Sequence, residues 1–304
     1  RQGKEEKQAA QGNESPGVGG LPGAAMRPGE PSSTARWVAF ARGLAAYESP
    51  PLVQDPHAVE LLDPPWSSLL RLAARYPRSS GVLVRALDVV SFGRSRFMSY
   101  RTRVLDDVLR HAVAEGIDQV VILGAGLDAR AWRLAELAGA TVFEVDHPDT
   151  QSYKQRRVGA GRVRFVPVNF EVQTAAEALV SAGFDASRPA AVIWEGVVMY
   201  LPPAAIDHTL STMRQVLAPG SRLAVSYSRR GSPLGQVERR VVGWVVGSAG
   251  ETFRHDEEPA EMAQRLRQNG YAVTWDEGHP DWAPRLLGKR QGWDLQRIVL
   301  CTPT

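Results

Sequence analysis

Two glycines interrupt an apolar run in the stretch QVVILGAGLDARAWRL, residues 119–134. The residues before them are typical of a buried strand and those after them have helical spacing, so Gly124 and Gly126 occupy a strand-to-helix turn. Glycine lets such a turn bend sharply and approach a ligand, and the following helix offers unpaired N–H groups. Two spaced glycines fall short of the full dinucleotide fingerprint. A dinucleotide, a phosphate, another adenosine-containing cofactor and a tight turn without a ligand all stay open at this point.

Carboxylates follow this turn and two later predicted strands. Asp146 ends the second strand, 20 positions beyond Gly126, where a carboxylate reaches the hydroxyls of an adenosine ribose. Capping of the next helix is a competing role for Asp146. Asp128 lies inside the turn, where it would repel a pyrophosphate, and Glu195 ends the fourth strand at the same sheet edge. Three carboxylates around one pocket favour a cationic sulfonium ligand, S-adenosyl-L-methionine (AdoMet), over a dinucleotide.

Short β-branched runs that alternate with helical patterns must position these residues. Such alternation indicates βαβ units and a parallel sheet. We predict an α/β fold with a seven-stranded, mostly parallel sheet, helices on both faces and an N-terminal helical cap. The predicted strands are Val120–Leu123, Thr141–Val145, Val163–Val168, Ala191–Trp194, Leu223–Tyr227, Tyr271–Trp275 and Leu295–Cys301. Helical patterns cover 34–48, 82–115, 130–138, 174–182, 203–217 and 258–269.

Composition divides the chain and excludes some classes of protein. Residues 1–33 are polar and rich in Gly and Pro, which predicts a disordered tail. Residues 34–304 form the predicted single domain, with the helical cap over 34–116 and the AdoMet-binding core over 117–304. The single cysteine excludes an intrachain disulfide and a multi-cysteine zinc site, and we predict no metal site.

Charge and hydropathy set expectations about partners and location. The formal net charge is only +3, and no clustered basic reading motif is present, so we expect no nucleic-acid partner. No apolar run approaches the roughly 20 residues that cross a bilayer, so we expect a cytoplasmic protein without a membrane partner. A homo-oligomer is compatible with the sequence.

Five ordered motifs resemble the leucine carboxyl methyltransferase family, especially bacterial members of the polyketide and secondary-metabolite type. The motifs are RTR with DD at 101–107, ILGAGLDARAWRL at 122–134, FEVDHP at 143–148, VPVNF at 166–170 and IWEGVVMYLP at 193–202. Together they lie within about residues 36–230, and an L-x-P-G turn at 217–220 follows in the order that methyltransferases show.

The resemblance implies a class I methyltransferase (Rossmann-like) fold with AdoMet as the cofactor, and it implies the following cofactor contacts. Arg103 would pair with the methionyl carboxylate, Asp146 would bind the ribose hydroxyls, and Asn169 and Phe170 would border the adenine. Arg42 aligns loosely with a cap residue that reaches the cofactor carboxylate. The complete predicted set of cofactor-binding residues is Arg103, Gly124, Ala125, Gly126, Asp128, Asp146, His147, Asn169, Phe170 and Glu195.

The activity implied is O-methylation of a small-molecule acceptor, at a carboxylate or phenolic oxygen, in secondary metabolism. Direct in-line transfer needs alignment and exclusion of water rather than a covalent intermediate. Glu195, Tyr200 and Tyr227 are the predicted catalytic residues, since all three lie at or beyond the ends of strands four and five. An NAD-dependent oxidoreductase and a non-catalytic AdoMet-binding protein remain the alternatives.

Overall fold

Seven strands of this computed structural model form one sheet in the order β3–β2–β1–β4–β5–β7–β6. The structure describes residues 31–90, 94–159, 161–169, 173–230, 254–288 and 294–304. All neighbouring strands are parallel except β7, which is antiparallel to both β5 and β6. The strands are β1 Gln119–Leu123, β2 Thr141–Asp146, β3 Val163–Pro167, β4 Ala191–Trp194, β5 Arg222–Ser228, β6 Tyr271–Gly278 and β7 Gln296–Pro303. The predicted fold class is confirmed.

The described α-helices flank this sheet and precede it in the chain. Their bounds are α1 Ser33–Ala45, α2 Ala58–Leu61, α3 Trp66–Arg75, α4 Pro77–Val90, α5 Arg94–Ala114, α6 Arg130–Arg133, α7 Pro148–Val158, α8 Ala175–Ser181, α9 Pro203–Val216, α10 Pro259–Gln268 and α11 His279–Leu287. The helical pattern over 82–115 belongs to two helices, α4 and α5. Of the predicted tail, residues 1–30 lie outside the described residues, and α1 begins at Ser33.

Successive side chains of a strand point to opposite faces of the sheet, and the two faces belong to different hydrophobic cores. Val121 and Leu123 of β1 pack with α8, α9 and α10, whereas Val120 and Ile122 pack with α5 and α11. This period of two is the expected property of a strand buried on both faces. Because α5 contributes Tyr100 to the second core, it packs against the sheet directly, although it lies within the region predicted as the cap.

The cap consists of α1 to α4 and packs on the turn after β1. Its core includes Phe40 and Leu44 of α1, together with Leu127 of the turn and Tyr153 of α7. The Tyr153 hydroxyl also donates to the carbonyl of Leu61 at 3.1 Å. The cap is thereby attached to the same turn that the glycines form. None of the described helices is long and apolar enough to cross a membrane.

A fully buried ion pair lies behind the end of β2. Nζ of Lys154 lies 2.5 Å from Oε2 of Glu144, and both side chains are removed from water. Burial disfavours the charged carboxylate more than Lys154 favours it, which raises the pKa of Glu144 to about 7. The stability of the fold therefore depends on pH at this position.

We expect Glu144→Gln to flatten the pH dependence of the free energy of unfolding. In the wild type the unfolded chain ionises this carboxyl near pH 4.5, whereas the folded chain holds the proton to about pH 7. Stability from this group is therefore lost as the pH rises through that interval. Urea unfolding at a series of pH values measures the slope. Glu115→Gln, which changes an exposed carboxylate in the same way, is the matched control, and an equal slope in wild type and Glu144→Gln would contradict this account.

Candidate cofactor-binding site

The glycine turn is hydrogen-bonded to the neighbouring strand and has no room for a side chain at residue 124. Gly124 and Gly126 have φ of +65° and +49°, in the left-handed region that favours glycine. The amides of Gly124 and Ala125 both donate to the carbonyl of Val145, at 2.8 and 3.2 Å. A Cβ at Gly124 would lie 2.3 Å from Cγ2 of Val197. Both the backbone conformation and this close approach therefore require glycine at 124.

Asp146 holds the first two strand ends together at this turn. One of its carboxylate oxygens accepts the amide of Gly126 at 2.5 Å, and the other accepts the amide of His147 at 2.6 Å. Burial raises the pKa of Asp146, and these two amide hydrogen bonds oppose that effect. A carboxylate has about four acceptor positions. Each oxygen therefore retains acceptor capacity for a further donor such as a ribose hydroxyl.

A buried network of arginines and carboxylates lies beside the turn. Arg130 is 1 % exposed and contacts Asp106 and Glu195, each at 2.7 Å, as well as Asp128. Arg101 approaches Glu195 from the other side, with Nε 2.8 Å from Oε1. The network joins α5, the turn after β1 and the segment after β4. Three separate parts of the chain are thus connected by charge at one sheet edge.

Arg42 extends this network into the cap. Its Nε donates to Asp55 at 2.9 Å, and its Nη2 donates to the carbonyl of Leu127 at 2.5 Å. Burial opposes the charge of Arg42, but Asp55 and Asp128 outweigh that effect and raise its pKa. The predicted contact of Arg42 with the cofactor carboxylate stays a prediction, and the structure places its guanidinium at the glycine turn.

The network is balanced in charge, with as many arginines as carboxylates. Burial works against ionisation of Asp128 and Glu195, but Arg130 acts on both and lowers the pKa of each below its usual value. Its members are four arginines and four carboxylates: Arg42, Arg101, Arg130, Arg133, Asp55, Asp106, Asp128 and Glu195. Two of the three carboxylates that favoured a cationic ligand are therefore already paired.

The structure brings Arg101, and not Arg103, to Glu195. The Arg101 side chain is 3 % exposed, whereas that of Arg103 is 38 % exposed and pairs with Asp107 at 3.0 Å on the same helix. Two residues correspond to about 200° around a helix, so the two arginines of the RTR motif point to different sides. Spacing alone does not separate the two arginines, because Arg101 lies three residues before Val104 and Arg103 lies three residues after Tyr100. The role predicted for Arg103 remains a prediction that this geometry disfavours.

Three other predicted cofactor contacts, His147, Asn169 and Ala125, lie at the same edge of the sheet. His147 begins α7 as its N-cap, and its Nδ1 accepts the amide of Asp149 at 3.3 Å. Asn169 follows β3 and is half-buried. Phe170 lies outside the described residues. Ala125 is buried within the glycine turn.

Two tyrosines were predicted to meet the acceptor, and the structure places them differently. Tyr200 is half-buried and ends a short 3₁₀ turn, Val198–Tyr200, that follows the Glu195 segment. Tyr227 is buried in the core, and its hydroxyl donates to Asp276 of β6 at 2.6 Å. Burial and Asp276 both raise the pKa of Tyr227. This hydroxyl is committed to a structural contact, so its catalytic role is disfavoured.

Two solved structures share this fold over nearly their whole length. The crystal structure of a candidate methyltransferase from Thermobifida fusca YX matches with a TM-score of 0.59 and 18% identity, over 93% of this chain and 98% of that one. A DUF574 family protein from Streptomyces avermitilis MA-4680 matches with a TM-score of 0.56 and 17% identity, over 90% and 98%. With the strand order and the site at the carboxyl ends of β1, β2 and β4, the fold is that of a class I methyltransferase.

Sequence comparison identifies the family. Residues 35–214 match the family model of leucine carboxyl methyltransferases. A candidate S-adenosyl-L-methionine-dependent methyltransferase of Mycobacterium avium (strain 104) is 34% identical over 292 residues, covering 88% of this chain and 84% of the relative. A relative with the same name from Mycobacteroides abscessus (strain ATCC 19977) is 34% identical over 269 residues, covering 79% and 83%. The chain belongs to the leucine carboxyl methyltransferase family, and the predicted class, an AdoMet-dependent methyltransferase, is confirmed.

The two arginines of the RTR motif offer a matched pair of substitutions. We expect Arg101→Gln to weaken AdoMet binding by about tenfold, because Glu195 loses a charge-assisted hydrogen bond of roughly 1.5–3 kcal/mol. Arg103→Gln should change the affinity less than about twofold, since a half-exposed pair within one helix contributes little. Isothermal titration calorimetry of both variants, with circular dichroism to verify folding, makes the comparison. If only Arg103→Gln lost AdoMet affinity, Arg103 rather than Arg101 would belong to the cofactor site.

Proposed function

We propose that this protein is an AdoMet-dependent O-methyltransferase that acts on a carboxylate or phenolic oxygen of a small molecule in secondary metabolism. Family membership supports methyl transfer, and the family description supports a carboxyl acceptor. The main support for the position of the cofactor is the Asp146 carboxylate, which accepts the Gly126 amide. A hydroxyl pair on a ribose finds acceptor oxygens there, directly beside a turn without side chains at Gly124 and Gly126.

The balanced network fits the methionyl end of AdoMet. That end carries an ammonium and a carboxylate, so it needs partners of both signs. Arg42 and Arg101 would serve the carboxylate, and Glu195 and Asp128 would serve the ammonium. Because every one of these groups is already paired and oriented, little reorganisation would be required on binding. A ring of unpaired carboxylates would suit only the positive groups.

The transfer itself requires few chemical groups from the protein. AdoMet supplies a methyl group on a sulfonium, and an acceptor oxygen forms the new O–C bond as the C–S bond breaks and S-adenosyl-L-homocysteine departs. The chain's contribution is to align the two reactants and keep water away. The cap residues Phe40 and Leu44, packed against Leu127 of the turn, would supply the water-excluding cover.

A carboxylate acceptor fits the described residues better than a phenol. Carboxylic acids ionise near pH 4 and need no base at pH 7, whereas phenols ionise near pH 10. A phenol would require a base beside the acceptor. Tyr227, one of the predicted catalytic residues, has its hydroxyl bound to Asp276. Glu195 is held between Arg101 and Arg130, which suits a positioning role better than proton transfer.

The alternatives considered from the sequence lead to different results in one assay. An NAD-dependent oxidoreductase would bind NADH in preference to AdoMet, and family membership disfavours it. A non-catalytic protein would bind AdoMet without turnover. A screen with methyl-radiolabelled AdoMet over carboxylic acids and phenols separates these two from a methyltransferase, because only the methyltransferase moves label into the acceptor.

Substitution of the ribose-binding carboxylate tests the cofactor assignment. We expect Asp146→Asn to weaken AdoMet affinity by about tenfold or more, because a charge-assisted acceptor becomes a neutral amide. Asp149→Asn, three positions later with its side chain 46 % exposed, is the control and should bind as the wild type does. Calorimetry gives both values. Equal affinity of Asp146→Asn and wild type would remove the ribose assignment without affecting the family.

The pH profile of methyl transfer tests the class of acceptor. With a carboxylate acceptor we expect a rate that is nearly constant from about pH 6 to 9, because the nucleophile is fully ionised throughout. An unassisted phenol would instead react about tenfold faster per pH unit up to about pH 10. Initial rates with saturating AdoMet provide the profile. A steep rise with every active acceptor would contradict the carboxylate proposal.

A further inference from the structure

One side of the cap exposes apolar side chains that the fold does not use. Among the described residues, five large hydrophobic side chains are exposed, and four of them lie on α3, on α4 or between the two. They are Leu69, Leu72, Tyr76 and Val82, with exposures of 41, 54, 52 and 68 %. We refer to these four residues and the exposed arginines among them as the α3–α4 surface.

The apolar stripe is separate from the buried face of α3. Leu69, Leu72 and Tyr76 have the i, i+3, i+7 spacing of neighbours on one side of a helix. The buried face consists instead of Ser67, Leu70 and Ala73, which lie toward the cap interior. Packing within the cap therefore accounts for one side of α3 and leaves the stripe in contact with water. Contiguous exposed apolar side chains indicate an interaction site.

The α3–α4 surface is also positively charged. Arg71, Arg75, Arg78 and Arg85 are all exposed, and none forms an ion pair with another described residue. Residues 64–87 contain these four arginines and no Asp, Glu or Lys. The segment therefore has a charge of +4, which exceeds the +3 of the whole chain. Asp63 and Asp88 flank this segment, so the positive charge belongs to residues 64–87 and their exposed arginines.

We propose that the α3–α4 surface binds an anionic lipid bilayer. Leucine and tyrosine side chains insert at the boundary between headgroups and acyl chains, while arginines pair with lipid phosphates. A second copy of this chain is disfavoured, because it would bring like charges together. An acidic protein is less suitable than a bilayer, because α3 combines an apolar stripe with arginines as its only charged residues, which is the composition of helices that lie in a membrane interface.

Such binding departs from the sequence-based expectation of no membrane partner. The expectation of no membrane partner depended on the absence of a spanning segment, and the described helices contain none. A surface helix lies in the headgroup region without crossing it. A short series of contacts connects this surface to the cofactor-binding site. Leu70 of α3 packs against Gly43 of α1, and the adjacent Arg42 donates a hydrogen bond to the glycine turn.

Vesicle sedimentation with the full chain tests the proposal. Vesicles of phosphatidylcholine alone are compared with vesicles of phosphatidylcholine and phosphatidylglycerol. We expect binding to the anionic vesicles only, weakened by added salt. Arg71→Gln/Arg75→Gln should reduce the partition coefficient by about 25-fold, or about fivefold per arginine. Leu69→Ser/Leu72→Ser should reduce it by about tenfold through lost apolar insertion.

Matched controls separate this surface from general charge and hydrophobicity. Arg156→Gln/Arg267→Gln removes two exposed arginines elsewhere, and Val180→Ser removes the fifth large hydrophobic side chain that is exposed among the described residues. Both should bind anionic vesicles as the wild type does. No binding of wild type to anionic vesicles, or equal losses in the controls, would overturn the proposal and favour an acidic protein as the occupant. AdoMet affinity should be unchanged in every variant, so failure here is distinguishable from failure of the proposed activity.

Discussion

The burial of Arg130 is the constraint on which the site depends. Removing a guanidinium from water costs several kcal/mol, and a single partner rarely offsets that cost. Here the carboxylates of Asp106, Asp128 and Glu195 surround it, each from a different segment of the chain. The position of α5, the shape of the glycine turn and the path after β4 are therefore coupled. Loss of any one carboxylate would leave a buried charge incompletely compensated.

This coupling also explains how the cap and the sheet share one site. Arg42 reaches from α1 to the carbonyl of Leu127, so the cap is attached to the turn by a polar contact as well as by its apolar core. Asp146 performs the corresponding role on the sheet side through the Gly126 amide. A cofactor with an adenosine at one end and a zwitterion at the other would contact both attachments. The outer side of the same cap remains available for a different partner.

Local pattern in the sequence was sufficient for most of the sheet. Strands β1 and β4 lie within one residue of their predicted bounds, because buried parallel strands are short apolar runs with clear limits. The prediction failed for elements whose hydrophobic residues show no regular helical or strand spacing. Helix α11 was not predicted, since Pro284 interrupts it, and β6 extends three residues beyond its prediction, past an irregularity between Val273 and Trp275. Tertiary packing against neighbouring elements, rather than local sequence pattern, stabilises α11 and the end of β6.

For this protein, the sequence alone determined the fold class, the family and the positions of Gly124 and Asp146, because spacing along the chain controls which residues reach a strand end. Only the tertiary structure decided which charged and polar groups are paired with one another. It paired Asp128 and Glu195 with arginines, selected Arg101 over Arg103 and buried the Tyr227 hydroxyl against Asp276. The physical reason is that ion pairing and burial depend on distances between segments far apart in the chain. Residue type and spacing do not contain those distances.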